Sequence, residues 1–190
     1  MNQQSYFRSS GYQENSLIDT DSGNQLDLAS LPPFLRTLLV MDGTVTKALE
    51  SWFWEPVKVI PLSNQQYQQN DNQPKLLQRE VLLRGEQSSR VFACARSHVS
   101  LQSLPDEIAE ALSLGKIGIG ELLREKGLET YRELFNINYF QVSPKDDPLC
   151  LNLLETAIIS RSYKIWVNEN PAITVTEYFP LKLYAAGRGN

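Results

Sequence analysis

Arg79 and Glu177 occupy positions where strand periodicity calls for hydrophobic side chains, and both carry groups able to bind or move charge. Side chains of a strand alternate between its faces, so Leu77, Arg79, Val81 and Leu83 share one face. By the same rule Ile173, Val175, Glu177 and Phe179 share another. An unpaired charge is costly to bury, so each of the two requires a partner. Either they pair with one another as a structural salt bridge, or they bracket a small polar ligand. A guanidinium grips a carboxylate through two hydrogen bonds and keeps its charge. A carboxylate in an apolar wall can orient a substrate hydroxyl or take part in proton transfer.

Other reactive side chains narrow the chemistry. His98 is the only histidine, which removes any metal site needing two His ligands, and the two cysteines form no cluster to replace them. A Ser-His-Asp triad would rest on His98 alone, and the chain has no Gly-x-Ser-x-Gly elbow. Gly115-Lys116-Ile117-Gly118-Ile119-Gly120 follows a helical run rather than a strand, which argues against a dinucleotide loop. Lys116 and Glu121 read as the decoration of a helix start, Cys94 as a small buried hydrophobe, and Trp52, Trp54 and Trp166 as core or pocket wall. Arg96 shares a face with Phe92, Cys94 and His98, and Arg161 with Tyr163 and Ile165. Each of these arginines either adds positive potential to a pocket or sits at a solvated strand end.

The elements that must position these groups are hairpins preceded by helices. Leu31-Pro32-Pro33 suits a helix entry, and PPFLRTLLVM carries an apolar stripe broken at Asp42-Gly43. Thr44 can cap a second helix, VTKALESWF, which Pro56 ends, and VKVIPL reads as a strand. Residues 64–73 form a polar insert expected as an exposed loop. KLLQREVLLR and RVFACARSHV, separated by Gly85-Glu86-Gln87-Ser88, predict an antiparallel hairpin. Pro105-Asp106-Glu107 opens a helix that Gly115 terminates, and GELLREKG continues as a short helical segment. Residues 128–142 read as a strand, and AIISRSYKIWVNE with AITVTEYFPL as a second hairpin. Strands in hairpins rather than strand–helix–strand repeats indicate an α+β fold on an antiparallel sheet.

With 190 residues the chain can bury a substantial core in one domain. Residues 1–28, rich in Gln, Asn, Ser and Asp, are expected to form a disordered or loosely ordered extension to a domain spanning 29–190. A net charge of −4 provides no electrostatic footing for nucleic acid or anionic membrane. No run approaches the roughly 18 apolar residues of a membrane span. The N-terminal residues lack the apolar core of a secretory signal, so a cytoplasmic monomer is expected.

FLRTLLVMDGTVTKALESWFWEPVKV, QREVLLRG, LPDEIAEALSLGKIGIGELLRE and SRSYKIWVNENPAITVTEYFPL, in that order, resemble the chorismate pyruvate-lyase (chorismate lyase, 4-hydroxybenzoate synthase) family over roughly residues 31–184. The resemblance implies an antiparallel sheet with helices and two helical flaps over an internal ligand site. It implies a lyase that splits chorismate into 4-hydroxybenzoate and pyruvate with no cofactor, supplying the ring of isoprenoid quinones. On the family pattern, Arg79 of Arg79-Glu80-Val81-Leu82-Leu83 holds the ring carboxylate, and Glu177 of Thr176-Glu177-Tyr178-Phe179 contacts the hydroxyl end. Ile119 offers backbone contacts to the carboxylate, Val45 beside Thr46 covers the ring, and Arg96 matches the arginine of the second strand. Arg96 or Lys47 would assist the departing pyruvyl carboxylate. WFWEP, the insert 64–73 and Glu129–Glu133 do not belong to the shorter bacterial lyases, which points to a divergent branch.

Two other readings fit the same residues. Effector-sensing domains of some transcription regulators share the fold and bind small molecules without turnover. In a degenerate scaffold, Arg79 and Glu177 would simply pair.

Overall fold

The computed structural model describes residues 23–68, 75–115, 117–141 and 147–185, with the backbone alone of three short strands before them. Those strands are β1 (Phe7–Arg8), β2 (Gly11–Tyr12) and β3 (Ser16–Ile18), and β4 (Gln25–Asp27) follows. Two helices, α1 (Pro33–Val40) and α2 (Val45–Phe53), precede the long strands β5 (Val57–Tyr67), β6 (Leu76–Gly85) and β7 (Val91–Ser100). Next come α3 (Asp106–Ser113), α4 (Ile119–Glu125), β8 (Thr130–Gln141) and α5 (Pro148–Leu151). β9 (Ala157–Val167), β10 (Asn170–Pro180) and α6 (Leu181–Ala185) complete the chain. The architecture is the expected α+β fold.

One six-stranded sheet in the order β5-β6-β7-β10-β9-β8 organises the molecule, and every neighbouring pair is antiparallel. Both predicted hairpins are present as β6–β7 and β9–β10, and they meet at the centre of the sheet through β7 and β10. Register aligns residues into rows across one face. One row runs Leu77, Val99, Ile173, Ile165, Arg132, and the next Arg79, Ser97, Val175, Tyr163, Leu134. A third row runs Val81, Ala95, Glu177, Arg161, Ile137.

Helices cover this face at its two ends and leave the middle rows open. α1, α2 and α6 bury Leu35, Leu38, Leu49 and Tyr184 against Leu83, Phe92, Ile159 and Phe179. α3 and α4 bury Ile108, Leu112 and Leu122 against Leu77, Val99, Ile165 and Ile173. On the opposite face α5 packs Leu149 and Cys150 onto Leu82, Cys94 and Ile158. Burial of these apolar surfaces, at roughly 25 cal/mol per Å2 removed from water, is what holds helices this short in place.

Several local expectations change. β5 continues to Tyr67, so residues 64–67 of the expected loop are strand paired to residues 76–79, and residues 69–74 lie outside the described residues. Within the expected extension, Ser16–Ile18 pairs antiparallel with Gln25–Asp27, and Leu28 is fully buried in the core. Thr44 stands at the N-cap of α2 but makes no capping bond with its side chain. α2 stops at Phe53 rather than being ended by Pro56, because Trp54 adopts a left-handed conformation at φ 59°, which also turns its ring out to 82% exposure.

Gly115 does end the segment after α3, with φ +73°, and it sets the path into α4. A methyl group there would lie 3.0 Å from the Asn64 amide nitrogen, which donates to the Ser113 carbonyl at 2.5 Å. Gly115→Ala should therefore cost about 1–2 kcal/mol, the left-handed penalty for an L side chain. Urea denaturation reads this directly; an unchanged midpoint would show that the turn tolerates the methyl group.

Candidate functional site

Between the two helical covers lies a cavity of about 390 Å3. Its floor is the middle of the sheet, with Arg79, Ser97, Val175 and Glu177, and its roof comes from the α1–α2 turn and the start of α4. The covers meet at the mouth: a Cβ on Gly120 would lie 3.3 Å from the Thr44 hydroxyl. A side chain at position 120 would push them apart.

Arg79 is the most informative lining residue. It is 3% exposed, and its Nη2 donates to the Ile117 carbonyl at 2.8 Å. No ion pair among the described residues includes it. Burial lowers its pKa, yet an arginine starts so high that the charge stays. The cavity wall therefore holds a buried cation with one neutral acceptor and spare donors aimed at no protein carboxylate.

Glu177, 6% exposed, lines the same cavity but pairs elsewhere. Its Oε2 accepts from Arg161 Nε at 2.6 Å, and its Oε1 accepts from the Tyr163 hydroxyl at 2.9 Å. Arg161 Nη1 donates to the Met41 carbonyl at 2.9 Å, tying this network to the end of α1. Burial is the largest influence on the Arg161 pKa and lowers it, but the charge and hydrogen bond of Glu177 together with Tyr163 more than offset that and raise it. Burial also pushes the Tyr163 hydroxyl well above its ordinary value, with Glu177 adding to the shift. Of the alternatives open from sequence, the direct Arg79–Glu177 bridge is thus excluded. β6 and β10 are two strands apart and the residues lie one row apart, which sets their Cα atoms roughly 12 Å from each other.

The other expected residues divide. Val45, Thr46, Lys47, Ile119 and Glu121 all line the cavity, Val45 almost fully buried and Lys47 paired with Glu50 at 2.8 Å. Arg96 does not. Ser97 pairs with Arg79 across the sheet and faces the cavity, so its neighbour Arg96 points to the opposite face. There Arg96 Nε donates to Glu80 at 2.7 Å, and both terminal nitrogens donate to Asp147 at 2.7 Å. Its charge is spent fixing the start of α5, which Asp147 also caps through the Leu149 N–H. Phe92, expected on the face of Arg96, instead stacks on Phe53 in the core at 3.9 Å, where the β6–β7 register shifts between Leu83 and Arg84.

Sequence reasoning did not single out Arg132 or Ser97 and read Thr44 only as a helix cap, yet all three line the cavity. The strand alternation that exposed Arg79 also runs through Ile159, Arg161, Tyr163 and Ile165, so the Arg161 network carried the same signal. His98 accepts or donates a 3.1 Å hydrogen bond with Tyr67 away from the cavity, and Lys116 lies outside the described residues. Among the described residues no group of three or more His, Cys, Asp or Glu could hold a metal ion, and no helix is long and apolar enough to cross a membrane.

Residues 39–186 match the family described as Chorismate pyruvate-lyase Rv2949c-like. A chorismate pyruvate-lyase of Mycobacterium leprae is 30% identical over 167 residues, covering 80% of this chain and 77% of that protein. The chorismate pyruvate-lyase of Mycobacterium tuberculosis is 25% identical over 162 residues, covering 76% of this chain and 78% of that protein. Among solved structures, the effector domain of PhnF from Mycobacterium smegmatis aligns with a TM-score of 0.53 at 11% identity, covering 74% of this chain and 90% of that domain, a likeness of fold.

The Arg161–Glu177 pair supports the cavity floor at a cost that mutation can expose. Arg161→Met alone leaves the Glu177 charge buried and should destabilise the protein by about 3–5 kcal/mol. Adding Glu177→Leu should recover at least about half of that loss, since an apolar pair of similar volume removes the stranded charge. Denaturation midpoints of the two variants decide this; a double variant as unstable as the single one would contradict it.

Proposed function

The chain belongs to the Rv2949c-like chorismate pyruvate-lyase family, and we propose that it converts chorismate to 4-hydroxybenzoate and pyruvate without a metal or organic cofactor. The observation that carries this reading is the buried Arg79 guanidinium, which faces a cavity for one small aromatic acid and has no carboxylate partner among the described residues. A carboxylate bound there completes the charge balance through two N–H donors. Ile119, at the start of α4 beside the carbonyl that holds Arg79, adds backbone donors to the same carboxylate. Val45 and Thr46 close over the ring from the other cover.

The reaction is an elimination driven largely by the aromaticity it creates. The electrons of a ring C–H bond become a ring double bond as the ether C–O bond breaks. The released enolpyruvate takes up a proton and becomes pyruvate. The protein holds the reactive conformer, excludes water and stabilises developing charge. Glu177 has both oxygens engaged by Arg161 and Tyr163, and each oxygen retains a lone pair for the ring hydroxyl. Its role in this scheme is to orient that hydroxyl. As the family resemblance implies, the 4-hydroxybenzoate formed supplies the ring of isoprenoid quinones.

Purified protein incubated with chorismate should form 4-hydroxybenzoate and pyruvate in equal amounts above the spontaneous rate, by chromatography and a coupled pyruvate assay. Binding of 4-hydroxybenzoate without chorismate turnover would make the chain a sensing domain of the same fold. Arg79→Gln should weaken 4-hydroxybenzoate binding by roughly 2–5 kcal/mol, the cost of removing one partner of a buried charged pair. A folded variant with undiminished affinity would show Arg79 to be structural.

A further inference from the structure

A second guanidinium lines the cavity without a carboxylate partner among the described residues. Arg132 lies on β8, on the cavity face opposite Ile165. Its Nη1 donates to the backbone carbonyl of Asp42, and its Nη2 sits 3.6 Å from where a Cβ on Gly120 would be. Its Nε is buried and has no hydrogen-bond partner, and its guanidinium carbon lies 5.9 Å from the centre of the Tyr163 ring. The lysines at the cavity are already paired, Lys47 with Glu50 and Lys58 with Glu86, and Arg124 is exposed. Among the described residues, Arg79 and Arg132 are thus the two inner cations lining the cavity without a carboxylate partner.

Their placement around Glu177 is ordered. In the sheet sequence β6-β7-β10-β9-β8, Glu177 on β10 stands two strands from Arg79 and two from Arg132. Along the strands Arg79 lies one row and Arg132 two rows from Glu177, on the same side, so a ligand whose ring carboxylate meets Arg79 and whose hydroxyl meets Glu177 can turn its remaining substituent toward β8. Chorismate carries its second carboxylate on that substituent, the enolpyruvyl ether. A carboxylate taken into a half-dry cavity without a counter-charge is strongly disfavoured.

We infer that Arg132 is the specificity residue for the second carboxylate of a dianionic substrate, the group that leaves with pyruvate. The inference rests on the lyase reading and adds to it a division of labour. Arg79 binds substrate and aromatic product alike, whereas Arg132 engages the substrate and the departing fragment only. Because the Arg132 guanidinium lines the cavity, it can offer N–H donors to that carboxylate, and the bond to Asp42 holds it at the meeting point of the two covers.

The test compares wild type, Arg132→Gln, Arg132→Lys and Arg79→Gln, measuring chorismate turnover and the binding of chorismate and 4-hydroxybenzoate by calorimetry. Gln keeps an N–H for the Asp42 carbonyl while removing the charge, so the turn stays tied. Arg132→Gln should raise KM and weaken chorismate binding by at least about 30-fold, the lower end of the loss of one partner in a buried charged pair. It should leave 4-hydroxybenzoate affinity within about 3-fold of wild type, and Arg132→Lys should restore part of the chorismate affinity. Arg79→Gln should weaken both ligands. Equal loss of both ligands in Arg132→Gln would make Arg132 a scaffold residue and overturn the inference, as would an unchanged KM. A wild type that binds chorismate without turnover would end the lyase reading while the binding constants still judge Arg132.

Discussion

A guanidinium buried without a carboxylate is the constraint that gives this structure its direction. Folding places Arg79 in the wall of a cavity, 3% exposed, with the Ile117 carbonyl as its hydrogen-bond partner. Desolvating such a charge is expensive, and a single neutral acceptor returns little of that cost. The fold tolerates the arrangement because the surrounding sheet and both helical covers are anchored by apolar packing that does not involve Arg79. The unbalanced charge is then available to a ligand, so part of the stability given up in the empty protein returns as affinity for an anion.

Three arginines on this sheet show how strand parity and row position decide what an arginine does. Arg161, in the same row as Glu177, is ion-paired to it through Nε and bonded to the Met41 carbonyl through Nη1, and so stiffens the cavity floor although its buried Nη2 has no hydrogen-bond partner. Arg96, one residue out of phase with the cavity-facing Ser97, is spent on Glu80 and Asp147 on the far side, where it fixes α5. Arg79 has neither kind of partner. The same side chain thus brace-fits, docks a helix or waits for a ligand according to which row and face it occupies. The covers approach closely at Thr44 and Gly120, where a side chain at position 120 would crowd the Thr44 hydroxyl.

Alternation of apolar and charged residues was enough to find Arg79 and Glu177, because a strand face has period two whatever the rest of the fold does. The two hairpins were equally legible from Gly85–Ser88 and from Asn168–Pro171 between apolar runs. What parity could not give was the identity of each partner. Glu177 meets Arg161 because β9 is its neighbour in the sheet, a pairing fixed by strand order rather than by local pattern. Arg96 was carried into the site by a family pattern, while its register against Arg79 and Ser97 turns it away. Arg132 escaped notice because β8 reads as an ordinary mixed strand; only its position on the sheet edge brings it beside Asp42 and Gly120. The extension of β5 through Ser63–Tyr67 was hidden by polar composition, since an edge strand exposed on one side needs few apolar residues.

A crystal structure of the protein with 4-hydroxybenzoate bound tests the central claim most directly. The account predicts the ligand carboxylate within about 3 Å of two Arg79 nitrogens, with the phenolic oxygen toward Glu177. A ligand seated elsewhere, or one in the cavity with Arg79 still bonded only to the Ile117 carbonyl, would contradict it.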